Sequence, residues 1–234
     1  MIRAADEAMV RYLNSFANKS EAFDKFFTVF LTLSSVKLLP IVTCLVWLWF
    51  SEKAHGHQRA AVGQALVGGA VAVLISRLIQ NLSPHRPRPF HSESLGFVLP
   101  YGVDPKALIF HEWSSFPSDT TAIAFALATG VWIASKPIGR ICLTSAALAV
   151  AFPRVYSGYH YPSDILGGAI VGTLCTFGCT NLGRRIWERI AVPEQRWPAL
   201  FYSFFFIVLF QITMMFGDVR HTAESFGKLI TTLF

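Results

Sequence analysis

Apolar residues in this chain come in blocks, near 26–50 (FFTVFLTLSSVKLLPIVTCLVWLWF), 60–82, 117–135, 138–153, 164–182 and 197–217. They do not follow the alternating pattern of a half-buried strand. A bilayer core about 30 Å thick asks for roughly 20 apolar residues per spanning helix. The pattern predicts an all-α integral membrane bundle of six transmembrane helices. Ahead of it, residues 1–25 hold no uncharged stretch suited to a secretory signal, while Met9, Val10, Leu13, Phe16 and Ala17 recur at helical spacing among polar residues. Two readings fit, a helix lying in the bilayer interface and an ordinary amphipathic lead-in. Residues 218–234 read as a C-terminal tail. With no internal repeat, low-complexity tract or long linker, residues 1–234 form one membrane domain.

Composition agrees: 53% of residues are hydrophobic and 15% charged. Short connections concentrate Lys53, Arg59, Lys136, Arg140, Arg184, Arg185, Arg189 and Arg196 on one side. The positive-inside rule puts that side in the cytoplasm and residues 83–116, the 154–164 connection and both termini outside. The net charge of +6 follows from such loops, and no nucleic-acid module is present. Cys44, Cys142, Cys175 and Cys179 all fall inside predicted spans. The pair Cys175 and Cys179 lacks the His or carboxylate partners that would close a metal site, so the thiols read as small buried residues. Gly168 and Gly172 form a small-xxx-small pair suited to close helix approach.

Polar chemistry gathers at the outward helix ends. "NLSPHRPRPF" (81–90) closes the second span, "FPSDTTA" (116–122) opens the third, and "RVYSGYHYPSD" (154–164) joins the fourth to the fifth. Prolines stiffen the backbone around Arg86 and Arg88, and guanidinium forks suit phosphate oxygens. Snorkelling to headgroups is the competing reading for Arg86 and the preferred one for Arg77. Ser118 ahead of an apolar run is an N-cap, which would leave the N–H groups of Asp119 and Thr120 pointing outward as an anion site. Pro162 fits a first helical turn, so His160 and Asp164 stand four residues apart at a helix start. A carboxylate accepting the Nδ1 proton would leave Nε2 free to attack an electrophile. The arginines make phosphorus the natural electrophile. The bland readings are a helix-dipole partner for Asp164 and solvated loop positions for His55, His57 and His221. No carboxylate cluster suggests a magnesium or zinc site.

These residues resemble the type 2 phosphatidic acid phosphatase (PAP2) superfamily, whose signatures run Lys-x6-Arg-Pro, Pro-Ser-Gly-His and Ser-Arg-x5-His-x3-Asp on one membrane face. The third matches at Arg154, His160 and Asp164, with Pro153 in place of Ser; the second matches at Pro117 and Ser118, and the first at Arg88 and Pro89. The resemblance implies a phosphohistidine on His160, oriented by Asp164. Arg88, Arg154, Ser118, Asp119, Thr120 and Asn81 would bind phosphate, without metal or cofactor. It also implies a lipid phosphate or diphosphate substrate and a bacterial plasma membrane, with the site facing the periplasm or exterior. The "PSD" spelling is similar to short bacterial members that act on undecaprenyl diphosphate.

Two positions depart from the family. Asn81 stands at its lysine and Thr120 at the histidine that protonates the leaving group. Three readings follow: a diphosphate substrate whose phosphate leaving group needs no acid; a substitute acid among His85, His91, His111 and Asp119; or lost hydrolysis, leaving a lipid-phosphate binder or transporter. Transfer of the phosphoryl group to a lipid or sugar is a further alternative.

Overall fold

The computed structural model describes residues 2–51, 56–103 and 114–214. His55, His111, His221, Lys53 and the tail from 218 lie outside the described residues. Every regular element among them is helical: α1 (Ile2–Asn14), α2 (Glu21–Thr32), α3 (Ser34–Phe50), α4 (Gly56–Leu82), α5 (Asp119–Ala134), α6 (Lys136–Ser145), α7 (Phe152–Tyr156), α8 (Pro162–Gly178), α9 (Thr180–Arg196) and α10 (Pro198–Thr213). Two short 3-10 turns, Pro89–His91 and Glu93–Leu95, lie between α4 and α5.

Among the described residues, Gly56–Leu82 and the continuous helical stretch Lys136–Tyr156 are long and apolar enough to cross a membrane. The α2–α3 pair makes a third if its 53° bend lies within one span; α5 and α10 are shorter apolar helices. Local chemistry explains where the elements differ from the sequence expectation. The opening 25 residues are not one helix: Asn18 takes a left-handed φ of 62° and Ser20 caps a new helix through its hydroxyl to Phe23 N. The block at 26–50 breaks at Leu33, which is extended (φ −93°, ψ 96°). The block at 164–182 ends at Gly178, and Arg-rich α9 follows as a separate helix. In the fourth block Ala146–Ala151 is a π-helical turn, with Phe152 N bonded back to Ala147 O. This wider ring absorbs Pro153, which has no N–H to give.

Helices α4, α5 and α8 form the centre, and glycines let them touch. A Cβ on Gly172 would strike the Ala122 carbonyl, and one on Gly168 the Ser118 carbonyl, so the predicted small-residue pair does bring α8 onto α5. Leu38, Ile41 and Leu45 of α3, Val62 of α4 and Leu127 and Val131 of α5 are buried in the main apolar core. At the basic end, Arg59 pairs with Glu194 at 3.1 Å and donates through Nε to Trp49 O, tying α4, α9 and α3. The opposite end carries the polar segments: the C-terminus of α4, the N-termini of α5 and α8, and the turn after α7.

Candidate active site

Main-chain hydrogen bonds stitch the three polar segments together. Ser115 N donates to Arg86 O at 2.9 Å, Phe90 N to Gly158 O at 3.1 Å, and Ser118 N to Asp164 O at 3.1 Å. Gln80 Nε2 donates to Pro117 O at 2.7 Å. Between Arg154 and His160 the chain reverses at Gly158, whose φ of 74° favours glycine. That turn lets Tyr159 N and His160 N both donate to Arg154 O, at 2.9 and 3.2 Å.

His160 is 1% exposed. Its Nδ1 lies 2.9 Å from Ser115 O, and a carbonyl can only accept, so Nδ1 carries the proton. Among the described residues Nε2 is buried with no hydrogen-bond partner, leaving a lone pair available for attack. Burial holds the imidazole below its ordinary value of 6.5, with the Arg88 and Arg154 charges pushing the same way and Asp164 opposing them.

The orienting contact differs from the sequence expectation. Asp164 Oδ2 stands 3.7 Å from Nδ1, beyond hydrogen-bond reach. The carboxylate is occupied elsewhere: Oδ2 accepts from Tyr161 N at 2.8 Å and Oδ1 from Arg86 Nη1 at 2.6 Å. Helix capping has claimed the oxygen that the four-residue spacing would have aimed at the ring. Asp164 is 0% exposed and still faces His160 as a charge.

Arg88, also buried, donates through Nη1 to Tyr159 O at 3.1 Å. Burial lowers it from its ordinary value, against the pull of the Asp119 carboxylate. A guanidinium stays charged even so. Arg154 is half-buried, and its charge acts on both His160 and Asp119. The charges of Arg88 and Arg154 both act on the neutral imidazole, a setting suited to an anionic, electrophilic ligand.

At the α5 N-terminus Ser118 is the N-cap, its Oγ accepting from Thr121 N at 3.4 Å and Thr121 Oγ1 at 3.0 Å. The anion site expected there is partly self-filled, because Thr120 N donates to Asp119 Oδ1 at 2.7 Å. Thr120 Oγ1 donates to the same oxygen at 3.3 Å. Asp119 Oδ2 pairs with Arg77 Nη2 at 2.7 Å, so Arg77 serves the site rather than headgroups, and Asp119 is held as a carboxylate.

Other candidates fall outside the cluster. Asn81 is exposed on the last turn of α4; its neighbour Gln80, about 100° round the helix, is the one that reaches Pro117. His85 is exposed and lines a separate cavity of about 260 Å³ with Arg3, Glu7, Arg86, Pro87, Ser92 and Tyr161. His91 is half-buried against Phe90, ring centroids 4.2 Å apart. Among the described residues no three His, Cys, Asp or Glu side chains converge as a metal site.

Sequence reasoning missed Ser115, Gln80 and Asp6. Ser115 acts through its carbonyl, which leaves no sequence signal. Asp6 had one: a carboxylate four residues before Val10, on the apolar stripe of α1. Its oxygens accept from Arg86 Nη2 at 2.6 Å and from Ser163 N at 3.0 Å.

YbjG of Escherichia coli (strain K12), provisionally named an undecaprenyl-diphosphatase, is 29% identical across 69% of this chain and 77% of its own. The undecaprenyl-diphosphatase BcrC of Bacillus subtilis (strain 168) is 28% identical across 64% of this chain and 69% of its own. The crystal structure of Aquifex aeolicus LpxE aligns with a TM-score of 0.49 and 25% identity, covering 73% of this chain and 91% of LpxE. The PAP2 superfamily model matches residues 82–188, a span that contains Arg88, Ser118, Arg154, His160 and Asp164. That stretch is similar to the PAP2 superfamily, and the relatives above place the likeness with PAP2-type membrane phosphatases.

Proposed function

We propose that this protein is a metal-independent lipid diphosphate phosphatase that converts undecaprenyl diphosphate to undecaprenyl phosphate through a phosphohistidine on His160. The observation that carries the reading is a buried neutral imidazole, Nδ1 bonded to Ser115 O and Nε2 without a partner among the described residues, under the Arg88 and Arg154 charges. Nε2 attacks the terminal phosphorus and the bridging P–O bond breaks. The lipid phosphate leaves, and water then releases inorganic phosphate from the histidine. Arg88 and Arg154 stabilise charge on the equatorial oxygens.

The substrate class follows from the leaving group. Thr120 hydrogen-bonds to Asp119, and Asp119 is paired with Arg77, so neither serves as an acid. A phosphate monoester departs without protonation more readily than an alkoxide does, which favours an anhydride substrate. The names of YbjG and BcrC point to the same lipid class. The proposed setting is a six-span bundle in a bacterial plasma membrane. Its basic end would be cytoplasmic and its site would open outward.

A second reading, a lipid-phosphate binder or carrier, is favoured by Asn81 and Thr120 standing where the family has lysine and histidine. Phosphate release by purified protein in detergent with EDTA, from undecaprenyl diphosphate and from phosphatidate, tests both. Turnover of the diphosphate that disappears in His160→Ala supports the phosphatase. Lipid retained without release by the wild type would transfer the conclusion to the binder.

A further inference from the structure

Helix α1 reaches the site, and the reaction above makes no use of it. Asp6 is 4% exposed. Its Oδ2 accepts from Arg86 Nη2 at 2.6 Å and from Ser163 Oγ at 2.5 Å. Arg86 Nη1 donates to Asp164 Oδ1 at 2.6 Å and to Ser163 Oγ at 2.8 Å, while the guanidinium lies 4.1 Å from the Tyr161 ring centroid. One guanidinium therefore bridges a carboxylate on α1 to the carboxylate that faces His160.

Anchoring α1 does not require this bridge. Arg11 Nη2 donates to Ser94 O at 2.8 Å, Asn14 exchanges bonds with Val98 at 2.6 and 2.9 Å, and Val10 packs with Leu95 and Tyr161. Buried ion pairs are a poor source of stability, because desolvation offsets most of their attraction. What the bridge does supply is geometry and charge at the α8 N-terminus.

We propose that Asp6 is a positioning residue for His160: it holds Arg86 across the Asp164 carboxylate, and so sets both the seat of α8's first turn and the charge facing the imidazole. The kinetic part rests on the phosphatase reading; the effect on the imidazole does not. Asp164, Arg88, Arg154 and Asp119 face His160, and Arg3, Glu7 and His85 line the cavity beside Arg86. All of these are common to wild type and variants, so differences report on Asp6 and Arg86.

The test uses the full chain in detergent, labelled with ¹⁵N-histidine, and follows the protonation midpoint of His160, assigned by the resonance lost in His160→Gln. Asp6→Asn removes a negative charge and shifts the midpoint to lower pH. Arg86→Gln removes a positive charge and shifts it to higher pH. Asp6→Glu keeps the charge and stays near wild type. Phosphate release from undecaprenyl diphosphate by Asp6→Asn falls about 10- to 100-fold in kcat with KM held, the scale of a misplaced reacting group. An unmoved midpoint in Asp6→Asn, or shifts of the same sign in Asp6→Asn and Arg86→Gln, overturns the proposal. So does lower thermal stability in Asp6→Asn with kcat intact. Should Arg86→Gln fail to fold, the contrast between Asp6→Asn and Asp6→Glu decides alone. If the wild type releases no phosphate while the midpoints move as stated, the phosphatase reading fails and the positioning role stands.

Discussion

Replacing Gly172 by alanine adds one methyl group at the point where α8 crosses α5. The new Cβ would lie 2.9 Å from the Ala122 carbonyl carbon and 3.0 Å from Ala126 N, with the Ala122 oxygen closer still. Comfortable separations are about 3.5 to 4.0 Å, so the helices must part by at least half an ångström, and the atoms in the way are main chain and cannot swing aside. Overpacking of this kind costs about 1–3 kcal/mol, which at about 2–4 °C per kcal/mol for chains of this length predicts a Tm lower by about 2–12 °C. Activity should fall further than stability does. Ser118 N is bonded to Asp164 O across the same interface, and displacement of about 1 Å at a reacting group can cost about 100-fold in rate. Gly178, on the same helix with nothing within 4 Å of its Cβ position, is the control. Gly178→Ala should hold activity and gain up to about 1 kcal/mol in helix stability. Thermal unfolding in detergent and phosphate release from undecaprenyl diphosphate would be measured on both. Gly172→Ala with wild-type Tm and turnover would refute the claim that close approach of α5 and α8 sets the site.

Three further outcomes are expected. Because burial keeps His160 below 6.5, the acid limb of kcat/KM should fall below that pH; a limb at or above 6.5 would mean that the imidazole is not the buried neutral group described. The same shift means the unfolded chain binds the proton first, so this residue's stability contribution is full above pH 6.5 and is lost as pH falls below it. Thr120→His should raise hydrolysis of phosphatidate by about 10²- to 10⁴-fold, the usual worth of a general acid, with little gain on the diphosphate; equal gains on both would sink the leaving-group argument. Asp24, 0% exposed, accepts from Asn18 N, Tyr101 N and the Tyr156 hydroxyl. Tyr156→Phe should cost about 1.5–3 kcal/mol, the range for a hydrogen bond to a charged group, and Asp24→Ala more, read as Tm; an unchanged Tm in Asp24→Ala would mean that the cluster carries no load.

What the sequence disclosed was what depends on neighbours along the chain. Ser118 could be read as a cap because capping is decided within one helical turn, and Pro162 announced the start of α8 for the same reason. Gly168 and Gly172 were legible because four-residue spacing puts both on one helix face. The contacts that escaped join distant parts of the chain. Arg77 met Asp119, and Arg86 met Asp6, only once α4, α1 and α5 were packed. Alternation of direction in the proline-stiffened Arg-Pro-Arg-Pro run sends Arg86 toward Asp164 and Arg88 toward Tyr159. Gln80 rather than Asn81 reaches the α5 entry, at Pro117 O, because one residue is 100° of helix. The break between α1 and α2 was written locally, in Ser20 followed by Glu21, but the apolar spacing that ran across it masked the signal.

Holding His160 by the Ser115 carbonyl, rather than by a side chain, places its tautomer beyond the reach of simple substitution. Every residue at 115 presents the same acceptor, so replacements there can disturb fit but cannot delete the contact. The orientation of the imidazole is carried by the path of the main chain, through Ser115 N to Arg86 O and the turn at Gly158. Over evolutionary time such a contact is inherited with loop length instead of residue identity. Insertions or deletions in these connections, more than point mutations, are therefore the changes that would retire the histidine.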